Sequence, residues 1–203
     1  MKENSSRYDR AYYDRWYRDP RHRVATAAEV ERRVHLALAV AEFVLGRRAR
    51  SVLDVGCGEA IWRTPLRRMR PGIRYVGVDP SAYVVERFGR ARGIRLGAVT
   101  DLAAAGLRGK FDIVICADVL HFLGASEVAR GLEQLVRFLG GVAYLPTFTS
   151  ADDVEGDVEA LQGRSPKWYL KRFGAAGLVP LGLDFHVGRE LARELSALEL
   201  PGG

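Results

Sequence analysis

Two turns of the sequence hold the residues whose types and spacing point to ligand chemistry. The first lies in Ser51-Val-Leu-Asp-Val-Gly-Cys-Gly-Glu-Ala60, where an apolar strand pattern runs into two glycines. These glycines let the backbone turn sharply and approach a ligand, and the helix that follows offers unpaired N–H groups. The second is the end of Tyr75-Val-Gly-Val-Asp79, where a carboxylate about twenty residues further on is placed to bind ribose hydroxyls. Together they predict a site for a nucleotide-type ligand.

These motifs resemble the first two motifs of the class I S-adenosylmethionine-dependent methyltransferases. Val52-Leu-Asp-Val-Gly-Cys-Gly58 matches the glycine motif, and Asp79 matches the acid of the second. Phe111–Leu123 is similar to the family's fourth strand and the turn after it, and the whole resemblance covers roughly 34–145. It implies an α/β fold with a Rossmann-like, doubly wound, mostly parallel sheet. It also implies S-adenosylmethionine as cofactor and S-adenosylhomocysteine as product.

The hydrophobic pattern alternates between strands and helices, as a parallel sheet with helices on both faces requires. We expect strands at 51–55, 75–79, 94–97, 111–117 and 141–146, and helices at about 60–69, 82–91 and 126–139. Ligands of such sheets bind beyond the carboxyl ends of the strands, at the switch point of strand order. The glycine turn and Asp79 both map to that edge.

The sequence on either side of this alternation predicts further elements. A capping box at Thr26–Glu29 starts a helix that Gly46 ends. Towards the C-terminus we expect a helix over 167–176 and a single last strand over 179–186. The family usually closes its sheet with a further antiparallel strand, whereas 188–200 has the pattern of a helix, so the sequence leaves the structure of this edge open.

A length of 203 residues fits one domain, which we divide into an N-terminal arm at 1–25 and a Rossmann-like core at 26–203. Tyr8, Tyr12 and Trp16 share one helical face of the aromatic, arginine-rich arm. We expect a lid that covers the sulfonium by cation–π contact. The alternative is an amphipathic helix that packs in the ordinary way. The predicted acceptor contacts are Tyr13, Trp16, Arg23 and Phe148.

The resemblance implies a set of cofactor-contacting positions at the sheet edge. They are Asp54, Gly56, Cys57, Gly58, Asp79, Pro80, Ser81, Cys116 and Ala117. For the last two, the backbone carbonyl of one or the other is expected to face the ammonium group of the cofactor. The usual third glycine is Ala60 here. The acid that often meets the adenine amino group aligns with Ala98, so Asp101 either takes that role or caps the next turn.

Two residues after the fourth strand are candidates for catalysis. Asp118 is placed to meet a cation or a substrate amine, or it N-caps the short helix that follows. His121 is the candidate base, because transfer to oxygen or nitrogen needs a proton removed and imidazole titrates near neutrality. Its alternative role is a hydrogen-bonded packing residue. Methyl transfer is an in-line displacement that positioning accelerates, so no nucleophile is expected.

Composition limits where the protein works. Hydrophobic residues make up 48% and charged residues 28%, and neither an apolar run of membrane length nor a signal-peptide pattern is present. Two cysteines without metal-ligand spacing favour free thiols in a reducing compartment. We therefore expect a cytoplasmic monomer or homodimer with no membrane partner. A net charge of +6 permits nucleic-acid binding, but only four of the 31 cations are lysines, which suggests an arginine-rich genome instead.

The leading hypothesis is metal-independent O- or N-methylation of a small-molecule acceptor, with no metal site. Cys116-Ala-Asp-Val119 lacks the Asn/Asp-Pro-Pro-aromatic motif of amino-methylating enzymes that act on adenine or glutamine. One alternative is an RNA methyltransferase that binds phosphates through the arginines of 63–74. Another is a cofactor-binding partner subunit that no longer catalyses. A nicotinamide-dependent dehydrogenase needs a third glycine where Ile61 stands.

Overall fold

The computed structural model describes residues 8–22, 25–154 and 160–195, and within them seven strands form one sheet. The strands are β1 (Ser51–Val55), β2 (Arg74–Asp79), β3 (Ile94–Leu96), β4 (Phe111–Ile115), β5 (Leu139–Tyr144), β6 (Leu178–Gly182) and β7 (Phe185–Gly188). Their order across the sheet is β3-β2-β1-β4-β5-β7-β6. The first five pair in parallel, and β7 runs antiparallel to both β5 and β6. This topology confirms the predicted doubly wound α/β fold.

The central strands are buried on both faces of the sheet. Val52 packs in the core on one face and its neighbour Leu53 in the core on the other, and Ile113 and Val114 are divided in the same way. All four side chains are fully buried. Parallel strands covered by helices on both sides read as continuous apolar runs, which is the pattern that predicted them.

Helices cover the two faces. They are α1 (Arg10–Tyr13), α2 (Ala27–Leu45), α3 (Arg63–Met69), α4 (Ala82–Arg92), α5 (Ala125–Phe138), α6 (Pro166–Ala175) and α7 (Arg189–Ala192). Buried residues of α2, α3 and α4 belong to one core cluster, and those of α5 and α6 belong to the other. Among the described helices, none combines the length and apolar character that crossing a membrane requires.

The ends of α2 follow from its sequence. The Glu29 N–H donates to the Thr26 hydroxyl at 3.2 Å, and the Thr26 N–H donates to the Glu29 carboxylate at 2.7 Å, which completes the capping box. Gly46 ends the helix in the left-handed conformation, with φ of 61°. Both predicted ends are confirmed, and the buried Val30 and Val34 attach the helix to the sheet.

The prediction for the C-terminal edge was wrong. The expected single strand over 179–186 is two strands, β6 and β7, which form an antiparallel hairpin. Leu183 and Asp184 make its turn with φ of 50° and 64°. Because neither residue is glycine, the turn has no strong sequence signal. Strand β7 closes the sheet as the family's further antiparallel strand does. The helix predicted over 188–200 is observed for Arg189–Ala192, with 196–203 outside the described residues.

The helix predicted from about residue 60 begins at Arg63 instead. Ala60 has φ of 58°, a left-handed conformation that an α-helix does not contain. The glycine turn therefore extends through the position where the family has a third glycine. This longer turn places backbone rather than helix at the sheet edge.

Candidate active site

A cavity of about 570 Å³ lies at the carboxyl ends of β1, β2 and β4. Its lining includes Gly56 after β1, Asp79 at the end of β2 and Asp118 after β4, and the N-terminal arm supplies another wall. Cavities of roughly 300–1,000 Å³ are typical of small-molecule sites. The cavity therefore lies at the edge where the strand order predicts a ligand.

The glycine turn brings bare backbone to this cavity. Gly56 has φ of 70° and Gly58 has φ of 49°. A Cβ atom at Gly56 would overlap Val119, and one at Gly58 would overlap the Tyr17 ring. Both glycines are thus required by conformation and by close approach. Cys57 lines the cavity, as expected, and is buried with a free thiol whose pKa is raised by burial.

Asp54 lies beneath the turn and lines the cavity, with 2% of its surface exposed. Burial raises the pKa of Asp54 to about 7, although the hydrogen bond from the Tyr75 hydroxyl, at 2.6 Å, opposes the shift. Sequence reasoning missed Tyr75. It lies on β2 beside β1, and only the register of the sheet brings its hydroxyl to Asp54.

Asp79 is buried and accepts three hydrogen bonds. The Gly58 N–H donates to Oδ2 at 2.8 Å, and the Ser81 N–H donates to Oδ1 at 2.9 Å. The Tyr13 hydroxyl donates to Oδ1 at 3.3 Å. Burial raises the pKa of Asp79, and these hydrogen bonds oppose the shift. The two predicted cofactor motifs are therefore directly bonded to each other and to the arm.

The residues after Asp79 divide between the cavity and the arm. Pro80 lines the cavity as expected. Ser81 is fully buried outside the lining, where its Oγ caps α4 by accepting from the Val84 N–H at 3.2 Å. The same Oγ donates to the Tyr8 carbonyl at 2.6 Å, so Ser81 anchors the arm.

Of the two roles left open for Asp101, the structure favours capping. Its side chain is exposed outside the cavity lining and accepts from the Ala104 N–H at 3.3 Å, which is the capping role. Residues 98–100 line the cavity instead. Thr100 was missed because its polar side chain lies next to a more conspicuous acid.

At the end of β4, one of two neighbouring residues lines the cavity and the other lies in the core. Ala117 lines the cavity, whereas Cys116 is fully buried in the core on the α5 face and outside the lining. Cys116 donates its N–H to the Tyr144 carbonyl at 3.0 Å, and burial raises its pKa. Its thiol is therefore a core group, and the expected contact of the Cys116 or Ala117 backbone carbonyl with the cofactor stays a prediction.

Asp118 lies at the cavity wall in a left-handed conformation, with φ of 58°. Its Oδ2 pairs with Nη1 of Arg33 on α2 at 3.3 Å. Burial raises the pKa of Asp118, while Arg33 opposes the shift. The following helical turn, Leu120–Phe122, starts without a side-chain cap, so the capping role expected as the alternative is not observed. Arg33, which also lines the cavity, was missed.

His121 lines the cavity and is 2% exposed. Its Nδ1 accepts from the Phe148 N–H at 3.2 Å, which assigns the proton of the neutral ring to Nε2. The ring also packs against Phe122 and Phe148, with centroids 4.2 and 5.0 Å away. This arrangement engages the nitrogen that a base would use and agrees with the packing alternative.

The arm covers the site. α1 continues into a π-helical turn over Asp14–Arg18, and both Tyr13 and Trp16 are buried and line the cavity. Arg23 lies outside the described residues, whereas Phe148 lines the cavity from the opposite side. Among the described residues, no group of three or more His, Cys, Asp and Glu side chains is placed to hold a metal ion.

Comparison with known proteins agrees with this geometry. Residues 53–141 match the family described as "Methyltransferase domain". The chain is 31% identical over 114 residues to the malonyl-[acyl-carrier protein] O-methyltransferase of Magnetococcus marinus, covering 54% of this chain and 42% of that protein. The chain thus spans less than half the length of this curated relative.

Solved structures share the fold. The plantazolicin methyltransferase BamL superposes with a TM-score of 0.64 at 14% identity, covering 88% of this chain and 73% of that one. The magnesium protoporphyrin IX methyltransferase of Synechocystis superposes with a TM-score of 0.58 at 18% identity, covering 90% of this chain and 93% of that one. At these identities the likeness establishes the fold alone.

Proposed function

We propose that this chain is a class I S-adenosylmethionine-dependent methyltransferase, and that it methylates an oxygen or nitrogen atom of a small molecule without a metal ion. The observation that carries this proposal is the convergence of Gly56, the buried Asp79 and the Arg33–Asp118 pair on one cavity. The cofactor is S-adenosylmethionine, and the product is S-adenosylhomocysteine.

The residues of the cavity fit this cofactor. Gly56 brings backbone to the cavity without a side chain, and Asp79 supplies a carboxylate for the ribose hydroxyls. Gly58 lies outside the lining and contributes its N–H to Asp79. Residues 98–100 form a wall for the adenine. When bound, the cofactor supplies a methyl group on a positively charged sulfur. Trp16 lies in the lining as an aromatic surface for that charge.

Proton removal is assigned to Asp118. An oxygen or nitrogen acceptor loses a proton as it gains a methyl group, so a base at the cavity wall accelerates the reaction. Arg33 binds Oδ2 and favours the ionised carboxylate against burial, which leaves Oδ1 for the proton. His121, with Nδ1 engaged, is assigned the positioning of the Phe148 backbone. The remaining acceleration comes from holding the acceptor in line and excluding water.

A small-molecule acceptor is favoured by the shape and cover of the cavity. Tyr13 and Trp16 enclose it from the arm, and Phe148 encloses it from the opposite side. The curated relative is named an O-methyltransferase, which supports oxygen as the accepting atom. The arm at 1–25 and the core at 26–203 are proposed to act as one domain.

The RNA alternative receives less support from the arginines near α3. Arg68 pairs with Glu31 at 2.5 Å and Arg70 pairs with Glu42 at 2.5 Å. The Arg74 guanidinium lies 4.1 Å from the centroid of the Phe111 ring. These cations have partners within the protein and lie outside the cavity lining. These three arginines are therefore less available to bind phosphates.

A partner subunit that binds cofactor without catalysis is the second alternative. Against it, Asp118 lines the cavity with its carboxylate paired to Arg33, which places a proton acceptor where an acceptor substrate would lie. We also propose a cytoplasmic monomer or homodimer. The buried, unpaired Cys57 and Cys116 fit a reducing compartment.

The direct test is methyl transfer from S-adenosylmethionine that carries a labelled methyl group. The protein is incubated with small molecules that bear hydroxyl, carboxyl or amine groups, and separately with RNA. We expect label in a small molecule, and loss of transfer with Asp118→Asn. Label in RNA that is lost when Arg67 and Arg68 become alanine would favour the RNA alternative. Cofactor binding with no transfer to any acceptor would favour the partner subunit.

A further inference from the structure

The N-terminal arm makes its polar contacts on the two turns that carry the cofactor motifs. The Tyr13 hydroxyl donates to Asp79, and the Tyr8 carbonyl accepts from Ser81, at the end of β2. Arg18 pairs with Glu59 in the glycine turn after β1. The arm is therefore attached to the same backbone that is proposed to bind the cofactor.

Asp79 has few acceptor positions left for a ligand. A carboxylate offers about four lone-pair sites. Three donors already use them: the Gly58 N–H, the Ser81 N–H and the Tyr13 hydroxyl. Two of these donors are backbone groups fixed by the turns, whereas the tyrosine belongs to a separate segment. Two ribose hydroxyls need two acceptor positions, so one of the three donors must leave.

We propose that the Tyr13 hydroxyl is a built-in occupant of the ribose position, and that cofactor binding displaces it from Asp79. This inference rests on the proposed function, because it concerns the same site. It assigns Tyr13 to the cofactor end of the cavity, whereas the sequence predicted a contact with the acceptor. The exchange concerns this one contact of the arm, because the contacts at Ser81 and Glu59 do not involve the carboxylate of Asp79.

The surroundings of Tyr13 make the exchange measurable. The side chain is 2% exposed, and its ring packs against Tyr17 and Tyr83 with centroids 4.9 and 5.8 Å away. Removing the hydroxyl alone keeps these ring contacts. Phenylalanine at this position therefore removes the competitor for Asp79 while the arm stays in place.

The experiment is calorimetric titration of S-adenosylhomocysteine into wild type, Tyr13→Phe and Tyr169→Phe. The Tyr169 hydroxyl is buried in the core on the other face without a hydrogen-bond partner among the described residues, so Tyr169→Phe is the matched control. We expect Tyr13→Phe to bind about 3- to 10-fold more tightly, since one hydrogen bond no longer has to be broken. Tyr169→Phe is expected to bind as wild type does.

Equal or weaker binding by Tyr13→Phe, with wild type and control binding normally, would overturn the inference and leave the proposed function standing. A folded wild type that does not bind would overturn the proposed function itself. If Tyr13→Phe does not fold, wild type with carbon-13-labelled tyrosine supplies the test, because loss of the hydrogen bond to Asp79 shifts the NMR signal of the Tyr13 ring carbon that bears the hydroxyl. A signal that does not move on saturation with S-adenosylhomocysteine would overturn the inference.

Discussion

Arg33 of α2 and Asp118 after β4 form an ion pair across the cavity wall, with 3.3 Å between Nη1 and Oδ2. The two residues are 85 positions apart in the sequence, so only the fold brings them together. Each side chain is 37% exposed. A partly exposed pair of this kind contributes little to stability, and its position at the cavity favours a role in the reaction.

This pair predicts a pH dependence of methyl transfer. Asp118 must be ionised to accept a proton, so the rate should rise with pH through its pKa. Arg33→Gln removes the cation that opposes the effect of burial, so the pKa rises and the acid limb of the kcat/KM profile moves to higher pH. Asp118→Asn should lower kcat/KM by about 10²- to 10⁴-fold. An acid limb unchanged in Arg33→Gln would contradict the assignment.

Asp54 predicts a pH dependence of stability. Its pKa of about 7 in the folded protein lies above its value of about 3.9 in an unfolded chain. The folded state therefore binds more protons between about pH 4 and 7, and the free energy of unfolding falls as pH rises through that window. Asp54→Asn should gain stability relative to wild type between pH 5 and 8, as measured by urea unfolding.

Asp112→Asn is the control for that measurement. Burial favours a higher pKa for Asp112, but the hydrogen bonds from Arg47 and the Arg50 N–H outweigh it and lower the pKa. Asp112 is thus ionised in both the folded and the unfolded state above pH 5. Its contribution to the free energy of unfolding is lost only at lower pH. The difference between Asp112→Asn and wild type should stay constant from pH 5 to 8. If the difference in unfolding free energy between Asp54→Asn and wild type is also constant from pH 5 to 8, the pKa of Asp54 is not raised in the folded protein.

A side chain added at Gly56 is expected to lower both the stability of the fold and the affinity for the cofactor. Gly56→Ala places a Cβ into Val119 at a positive φ, so we expect a lower melting temperature and at least about 10-fold weaker binding of S-adenosylhomocysteine. Gly174 lies in α6 with open space around it, and Gly174→Ala should stabilise the protein by about 0.5–1 kcal/mol. Similar melting temperatures for the two variants would argue against the close approach at Gly56.

Substitution of Asp101, unlike that of Gly56, is expected to leave cofactor binding intact. Its exposed side chain caps a turn outside the cavity, so Asp101→Ala should leave the affinity for S-adenosylhomocysteine within about two-fold of wild type. The same calorimetric titration checks this value. A ten-fold loss would return Asp101 to the adenine subsite.

Local signals predicted much of the fold. The capping box at Thr26 and the glycine at 46 define α2 because caps act within one turn of helix. The continuous apolar runs identify β1 and β4 because both faces are covered. The hairpin turn at Leu183–Asp184 was missed because left-handed backbone at residues other than glycine has no compositional signal.

The sequence predicted the site residues that lie in the turns after the strands. It did not predict the contacts between residues that are far apart in the sequence. Gly56 and Asp79 can be identified from the sequence, because a glycine and a carboxylate at the ends of strands are typical of nucleotide sites. Arg33 is one arginine among many, and only helix packing against the sheet brings it to Asp118. Tyr13 was identified as a cavity residue, but its bond to Asp79 required the path of the arm.

The most direct test of the central claim is calorimetric titration of S-adenosylhomocysteine into wild type and Asp79→Ala, with NADH as the competing ligand class. We predict micromolar binding to wild type that is lost in the variant, and no binding of NADH. Binding of NADH, or failure of a folded wild type to bind S-adenosylhomocysteine, would contradict the assignment of this cavity to methyl transfer.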